Sequence, residues 1–428
     1  MKKRIMSIIL GAVMAFSLAA CGGSGGATIE TTDAKEETEA PAENAEAPAE
    51  GAEAEAAGED FHIGIVTGSV SQSEDDRRGA EAFQAKYGEE NVTLAIYPDN
   101  FTEEQETTIQ TIVNLSDDPK MKAIIVNQAV PGTTEAFRRI KEKRPDIICI
   151  AGESHEDLPE IGSAADLVVN NDFVARGYLM IRTAHELGCD TFVHISFPRH
   201  MSYETMSRRV AIMKEACNEF GMKFEMETAP DPTTDVGVPG AQAYILEHVP
   251  EWIEKYGTNS AYFCTNDAHT EPLLKMLLEH GGYFIEADLP SPLMGYPGAL
   301  GIDLTAEAGD FQKILAKVEA AVVEKGGAGR FGTWAYSYGY TVSAGLAEHA
   351  RNVILGTSEL NDIDAISAAY GVFSPGAEWN GSNYTNVDTG VKSDNTFLIY
   401  QDTYIMGDPG HYMESTKVEV PEKYFTVK

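Results

Sequence analysis

Positive charge is scarce in this chain: 32 Lys and Arg stand against 67 Asp and Glu in 428 residues, a net charge of −35. A surface that acidic repels phosphate backbones and anionic headgroups, which argues against nucleic acid or anionic lipid as a partner. Cysteine is scarce too. Of the five, Cys149, Cys189, Cys217 and Cys264 have no CxxC spacing, so neither a disulfide framework nor a zinc site is expected, and the four read as free thiols, mostly buried. Enzyme signatures are missing as well. The first strand–helix turn, GIVTGSVSQS, lacks GxGxxG spacing, and no P-loop or GxSxG elbow occurs. No cofactor is expected. The segment GESHEDLP gathers Glu153, His155 and Asp157, but no second cluster at metal-ligand spacing accompanies it, so no metal site is expected either.

What is present begins with Lys2, Lys3 and Arg4, followed by a mainly apolar run from Ile5 to Leu18 that is too short for a comfortable membrane span. It ends in Leu18-Ala19-Ala20-Cys21, which resembles the lipobox of bacterial lipoproteins. That resemblance implies a signal peptide over residues 1–20, cleavage before Cys21, lipid on Cys21, and an anchor on the extracytoplasmic face of the cell membrane. From Cys21 to about Asp60 the chain is rich in Ala, Glu, Pro and Thr, with almost nothing to bury, and reads as a disordered tether. Residues 30–60 hold twelve acids and one lysine, which keeps such a segment extended. Without tether and leader, residues 61–428 still carry 55 acids against 28 bases, a net of −27.

From Phe61 short apolar runs alternate with amphipathic segments. FHIGIVTG, VTLAIYP, KAIIVNQ and DIICIAG read as strands, with helices SEDDRRGAEAFQAKYG, TEEQETTIQTIVNL and TTEAFRRIKEK between them. ADLVVNND opens a second round of the same rhythm, which continues through TFVHISF, KFEMET, a helix from about Gly240 to Tyr256, YFC, a helix after it, and a strand region SPLMGYP. The fold class that follows is α/β, with two Rossmann-like lobes of parallel sheet joined by a hinge. A helix is expected over AGDFQKILAKVEAAVVEKGG. Beyond Arg330, GTWAYSYGY reads as a strand with Trp334, Tyr336, Tyr338 and Tyr340 on one face, and a helix follows around Thr341–Arg351. Residues 371–395 read as a long loop and TFLIYQDTYIMG as a late strand.

In open parallel sheets ligands bind beyond the carboxyl ends of the strands. The residues there are Ser69, Ser71, Gln72 and Ser73 after the first strand, Asn127 and Gln128 after the third, and Glu153, Ser154 and His155 after the fourth. In the second lobe they are Phe197, Arg199 and His200, then Thr265, Asn266 and Asp267, then Tyr296. Hydrogen-bonding side chains with two aromatic rings suit a small polar organic molecule that has an apolar face. In the adjacent pair, Asp267 is expected to cap the helix, leaving Asn266 to meet the ligand.

Three stretches carry a resemblance. YFCTNDAHTEPLLKMLLEHGG is similar to a segment of sugar-binding type I periplasmic solute-binding proteins whose asparagine touches the ligand, here Asn266. SYETMSRRVAIMKEACNEFG resembles the helix after the first strand of the second lobe, whose ligand-reaching arginine maps to Arg209 rather than Arg208. VVNNDFVARGYLMIRTAHELG looks like the crossing between lobes, with Asn171 and Asp172 at the crossing itself. The chain departs from the sugar binders at MGYPG, which carries Tyr296 and Pro297 in place of an acid.

The resemblance implies the type I periplasmic binding protein fold and a partition of the chain. Residues 61–170 with about 300–335 would form the N-terminal lobe, 171–299 the C-terminal lobe, and 336–428 an extension packed on both. It implies a lipid-anchored binding protein that captures a sugar, nucleoside or similar solute and hands it to an ABC permease, with no bond made or broken. A sensor docking on a signalling receptor is the alternative, and a hydrolase using Glu153 and His155 a weaker one.

Overall fold

Five-residue apolar runs that end in a polar residue or glycine become strands, and those buried along their whole length lie inside parallel sheets. The computed structural model describes residues 61–428, apart from the side chains of Ser71 and Gln72. The expected signal peptide, Cys21 and the expected tether lie outside the described residues.

The chain begins with Ile63–Thr67 (β1), Val70–Tyr87 (α1), Val92–Ile96 (β2), Gln105–Asn114 (α2), Ala123–Asn127 (β3), Thr133–Lys143 (α3), Ile148–Gly152 (β4), Leu158–Gly162 (α4) and Leu167–Asn171 (β5). It continues through Phe173–Glu186 (α5), Thr191–Ser196 (β6), Glu204–Phe220 (α6), Lys223–Thr228 (β7), Gly237–Tyr256 (α7), Ser260–Cys264 (β8), Asp267–His280 (α8), Tyr283–Phe284 (β9), Tyr296–Leu300 (α9), Phe311–Glu324 (α10) and Phe331–Trp334 (β10). The last part holds Tyr338–Ile354 (α11), Ile363–Phe373 (α12), Trp379–Thr385 (β11), Lys392–Gln401 (β12), Thr403–Met406 (β13) and His411–Tyr412 (β14).

Two seven-stranded sheets result. One runs β2-β1-β3-β4-β5-β12-β11, the other β7-β6-β8-β9-β10-β13-β14. Within each, the first five strands are parallel, with Ile65 beside Ile125 in the first sheet and Val193 beside Tyr262 in the second. The five-strand order is the same in both, so the βα rhythm read twice from the sequence is a true structural repeat. The protein has the two-lobed α/β architecture of the type I periplasmic binding fold.

The lobe boundaries differ from the sequence reading. Residues 300–335 do not return to the first lobe: β10 pairs with β9 and β13 of the second sheet, and Phe311, Ile314, Val318 and Val322 of α10 pack into that lobe's core. Residues 336–428 are no mere extension. α11 lies along α1, where a Cβ at Gly79 would sit 2.1 Å from the Tyr340 carbonyl oxygen, so only glycine permits the approach. β12 completes the first sheet beside β5, and β13 the second beside β10.

Several elements also differ. GTWAYSYGY stops being a strand at Trp334, because the Ser337 hydroxyl accepts the Tyr340 N–H and starts α11 there. The expected loop at 371–395 contains the end of α12 and the hairpin β11–β12. Its Gly381 allows close approach to the partner strand, since a Cβ there would lie 2.4 Å from the Leu398 carbonyl oxygen, and Asn383 Nδ2 donates to the Ser393 carbonyl at 2.9 Å. Pairing has overridden a poor strand composition. TFLIYQDTYIMG is two strands in different sheets, divided at Asp402. SPLMGYP forms no strand. The fourth strand of that sheet is the short β9, and Tyr296 opens α9.

The chain passes between the sheets at Asp172, at 335–337 and at Asp402. Between these passages sits a buried ion pair. Arg176 Nε contacts Glu286 Oε1 at 2.6 Å, and its other nitrogens donate to the carbonyls of Ala287 (2.7 Å) and Asp288 (2.9 Å). Glu286 also accepts from Trp334 Nε1 (2.9 Å) and Thr403 Oγ1 (3.2 Å). The charges are satisfied on every side, which a buried pair requires.

Candidate functional site

In each sheet the strand order reverses beside the first strand, and the crevice at that point lies beyond the carboxyl ends of β1 and β3 in one lobe and of β6 and β8 in the other. Backbone geometry marks the first lobe's rim. Gln128 (φ 52°) and Glu153 (φ 43°), immediately after β3 and β4, both adopt the left-handed region that non-glycine residues avoid. Ser73, at φ −149° and ψ 65°, breaks α1 near its start.

These distortions assemble a network. Gln128 Nε2 donates to Ser73 Oγ at 2.8 Å and to Asp76 Oδ2. Asp75 accepts the Ser337 hydroxyl. Glu153 accepts the Tyr338 hydroxyl at 2.7 Å and the Asn171 N–H at 2.8 Å. Burial pushes the Asp76 carboxyl up to about 7, and the neighbouring charges of Asp75 and Glu153 add to this against the Gln128 and Ser73 hydrogen bonds. Burial raises Glu153 and Asp75 as well.

The second lobe's rim holds charges of both signs. Arg209 on α6 is buried and its Nη2 meets Asp288 Oδ1 at 2.6 Å, with the guanidinium 4.7 Å from the Phe263 ring centre. Arg199 forks onto Asp231 at 2.6 and 3.0 Å. Phe197 is buried against His200, ring centres 4.1 Å apart, and His200 Nδ1 bonds Thr265 Oγ1 at 3.1 Å. Asp267 has no hydrogen bond or ion pair among the described residues. Its side chain touches solvent, which moderates the loss of hydration between the lobes. That loss and the charges of Asp288, Asp76 and Asp75 raise it to about 7. Across the lobes, Asn171 at the end of β5 sets its Nδ2 3.5 Å from the Asp288 carbonyl.

The expected site residues divide accordingly. Gln128, Glu153, Arg209, Asn266 and Phe197 lie at the two rims. Ser69 precedes α1 and its hydroxyl donates to Asp99 Oδ1 at 2.6 Å; the side chains of Ser71 and Gln72 are outside the described residues. Ser154 is tied into its own turn, its N–H donating to Asn170 Oδ1 at 2.9 Å and its hydroxyl accepting the Glu156 N–H. Asn127 is fully buried and donates to Ser343 Oγ at 2.7 Å, which pins α11 to β3. Arg199 is held by Asp231. Tyr296 is buried in the second lobe's core with its hydroxyl on the Gly332 carbonyl at 2.7 Å, so it faces no ligand; it opens a helix and ends no strand.

The cap expected at Asp267 is made by Asn266 instead. Asn266 Oδ1 accepts the Ala268 N–H at 3.0 Å and is the cap, while Asp267 is the exposed first residue of α8. Asp75, Asp76 and Asp288 were not expected. SEDDRR reads as part of an amphipathic helix, and it is Gln128, Ser337 and the start of α11 at Gly339 that close around Asp75 and Asp76. The four thiols are buried and unpaired, as expected. Asp172 caps α5 by accepting the Ala175 N–H at 2.7 Å.

Among solved structures, a candidate transcriptional regulator from Clostridium difficile 630 superposes with a TM-score of 0.72 at 22% identity, over 81% of this chain and 99% of that one, which establishes a shared fold. An ABC transporter periplasmic solute-binding protein from Actinobacillus succinogenes 130z, bound to D-allose, overlaps more loosely, with a TM-score of 0.47 at 15% identity over 70% of this chain and 93% of that one. In sequence, a Treponema pallidum (strain Nichols) protein described as uncharacterized is 42% identical over 209 residues, 49% of this chain and 94% of its own. A second from the same organism, described in the same way, is 38% identical over 180 residues, 41% of this chain and 81% of its own. A family model described as "Protein of unknown function (DUF3798)" matches residues 61–332, and the chain belongs to that family.

Proposed function

We propose that this protein captures a small polar organic molecule between its two lobes without chemically altering it, as a lipid-anchored binding protein on the extracytoplasmic face of the membrane that passes its ligand to an ABC permease. One observation carries the reading. The carboxyl ends of two like-ordered sheets both carry positioned polar groups, and in the first lobe two of these stand on left-handed backbone. Such strain persists where function needs it. The lobes join through passages of one to three residues, which suits closure on a ligand. The lipobox-like Leu18–Cys21 stretch supports the anchor.

A thermal-shift screen of the full chain against sugars, nucleosides, amino acids and vitamins tests the binding. A ligand at one hundred times its Kd is expected to add about 2.7 kcal/mol of stability. No stabilising compound in that screen counts against capture. Cys21→Ala is expected to release the protein from membranes with its affinity unchanged, and continued membrane partitioning would remove the anchor.

A further inference from the structure

The last residues of a domain are poorly ordered unless something ties them down, and residues 415–428 are tied to both lobes. Their nearer part is fastened to the first lobe and to the passage beside it. The Ser415 N–H donates to Asp402 Oδ1 at 2.7 Å, Asn380 Nδ2 of β11 donates to the Thr416 carbonyl at 2.6 Å, and Val418 and Val420 pack against the core shared by β1, β3 and α11. Their farther part is fastened to the second lobe. The turn Glu422–Thr426 buries Tyr424 completely, its ring centre 5.0 Å from that of Tyr178 on α5 and its hydroxyl donating to Glu219 Oε2 on α6 at 2.5 Å. Lys423 Nζ meets Glu215 of α6 at 2.8 Å.

A second observation comes from α6 itself. Arg208 is 2% exposed, and its acid among the described residues, Glu204, stands 3.5 Å away. Its guanidinium is directed instead at the backbone of two distant segments. Nη2 donates to the Phe425 carbonyl at 2.6 Å, and Nη1 to the Thr385 carbonyl at the end of β11 at 3.3 Å. The same group lies 5.9 Å from the ring centre of Tyr384 on β11. A buried cation of the second lobe thus joins the tail to the edge strand of the first, and hydrogen bonds from an ionised donor are the strong kind. The contact is far from the last passage. Thr385 pairs with Lys392, nine residues along β12 from Gln401, which is roughly 30 Å for a strand rising about 3.3 Å per residue.

We propose that residues 415–428, together with Arg208, form a latch that bridges the lobes beside the three covalent passages and holds the angle between them. Short passages leave the lobes free to rotate. A tail bonded to both lobes opposes that rotation, because turning one lobe pulls Arg208 from the Phe425 or the Thr385 carbonyl. The buried contacts carry the latch. The ion pair of Lys428 with Asp388, 3.0 Å apart and exposed on both sides, adds little. The latch does not depend on which molecule the gap takes.

Spin labels on the two lobes test it. Val70→Cys at the start of α1 and Val238→Cys at the start of α7 replace exposed residues, and in a Cys21→Ala full chain the other thiols are buried. Double electron–electron resonance on the ligand-free protein is expected to give one narrow distance. Arg208→Met keeps the apolar stem but drops both donors and should broaden the distribution, as should a chain ending at Val420. Tyr424→Phe, which loses only the bond to Glu219, should broaden it less, and Lys428→Gln should leave it unchanged. If the shortened chain does not fold, the point variants carry the test. Distributions in Arg208→Met and Tyr424→Phe that match the parent's overturn the latch and leave the tail as surface packing. A parent distribution already as broad as that of Arg208→Met overturns it as well.

Discussion

The two lobes share a strand order but not a chemistry at the rim. In the first, the carboxylates of Asp75, Asp76 and Glu153 are oriented by neutral donors. In the second, Arg199 and Arg209 are each bound to a carboxylate, and Asp267 is left over. Repeating a topology repeats where strand ends fall, because backbone hydrogen bonding and handedness decide that. It does not repeat what the ends carry. One rim offers fixed acceptors; the other offers ion pairs and a single unmatched charge.

The comparison breaks most completely where both lobes depend on one residue. Arg176→Ala leaves Glu286 buried without its cation and strips donors from two carbonyls, with an expected loss of about 3–5 kcal/mol in denaturant unfolding. A loss below about 1 kcal/mol would mean that the pair does not hold the passages together.

A smaller effect sharpens the difference in charge compensation. The folded-state pKa of Asp76, about 7, is above its unfolded value, so the folded protein holds the extra proton between roughly pH 4 and 7. Its contribution to stability is therefore present at low pH and lost as pH rises through 7. Asn carries no charge at either extreme. The stability of Asp76→Asn relative to the parent should rise from pH 5 to pH 8 by about 1–3 kcal/mol, since each tenfold change in proton affinity between the folded and unfolded chain is worth roughly 1.4 kcal/mol. A difference that stays flat across that range would show the carboxylate to be hydrated.

The smallest effects separate two neighbours. Asn266→Ala is expected to cost about 1 kcal/mol through the lost cap. Asp267→Asn leaves the cap in place and should not cost the empty protein the stability that Asn266→Ala does. Equal losses in the two melts would return the cap to both residues.

The sequence showed the parallel sheets and the strand-end positions plainly, because a run such as Ala123–Asn127 is apolar on both faces and stops at a polar residue. It did not show which polar residue at a strand end turns inward. Asn127 and Gln128 are adjacent and chemically alike, yet one is sealed under α11 and the other bends onto Asp76. That choice is made by α11, more than two hundred residues later. Asp75 and Asp76 look like a solvated helix face until Gln128 and the start of α11, at Ser337 and Gly339, close on them. The β11–β12 hairpin was hidden for a related reason: its glycine and asparagines acquire strand geometry only from the partner strand.

The three passages at Asp172, 335–337 and Asp402 have a mechanical consequence. Two bodies joined by one tether can drift, shear and tumble; joined by three short ones, they keep little freedom beyond rotation about the line of the joints. The last joint is the tightest, since a ten-residue strand of one sheet is separated from a strand of the other by Asp402 alone. Relative motion must therefore travel as twist through that ribbon, and spin labels on the two rims should report a change in one angle and almost no sliding.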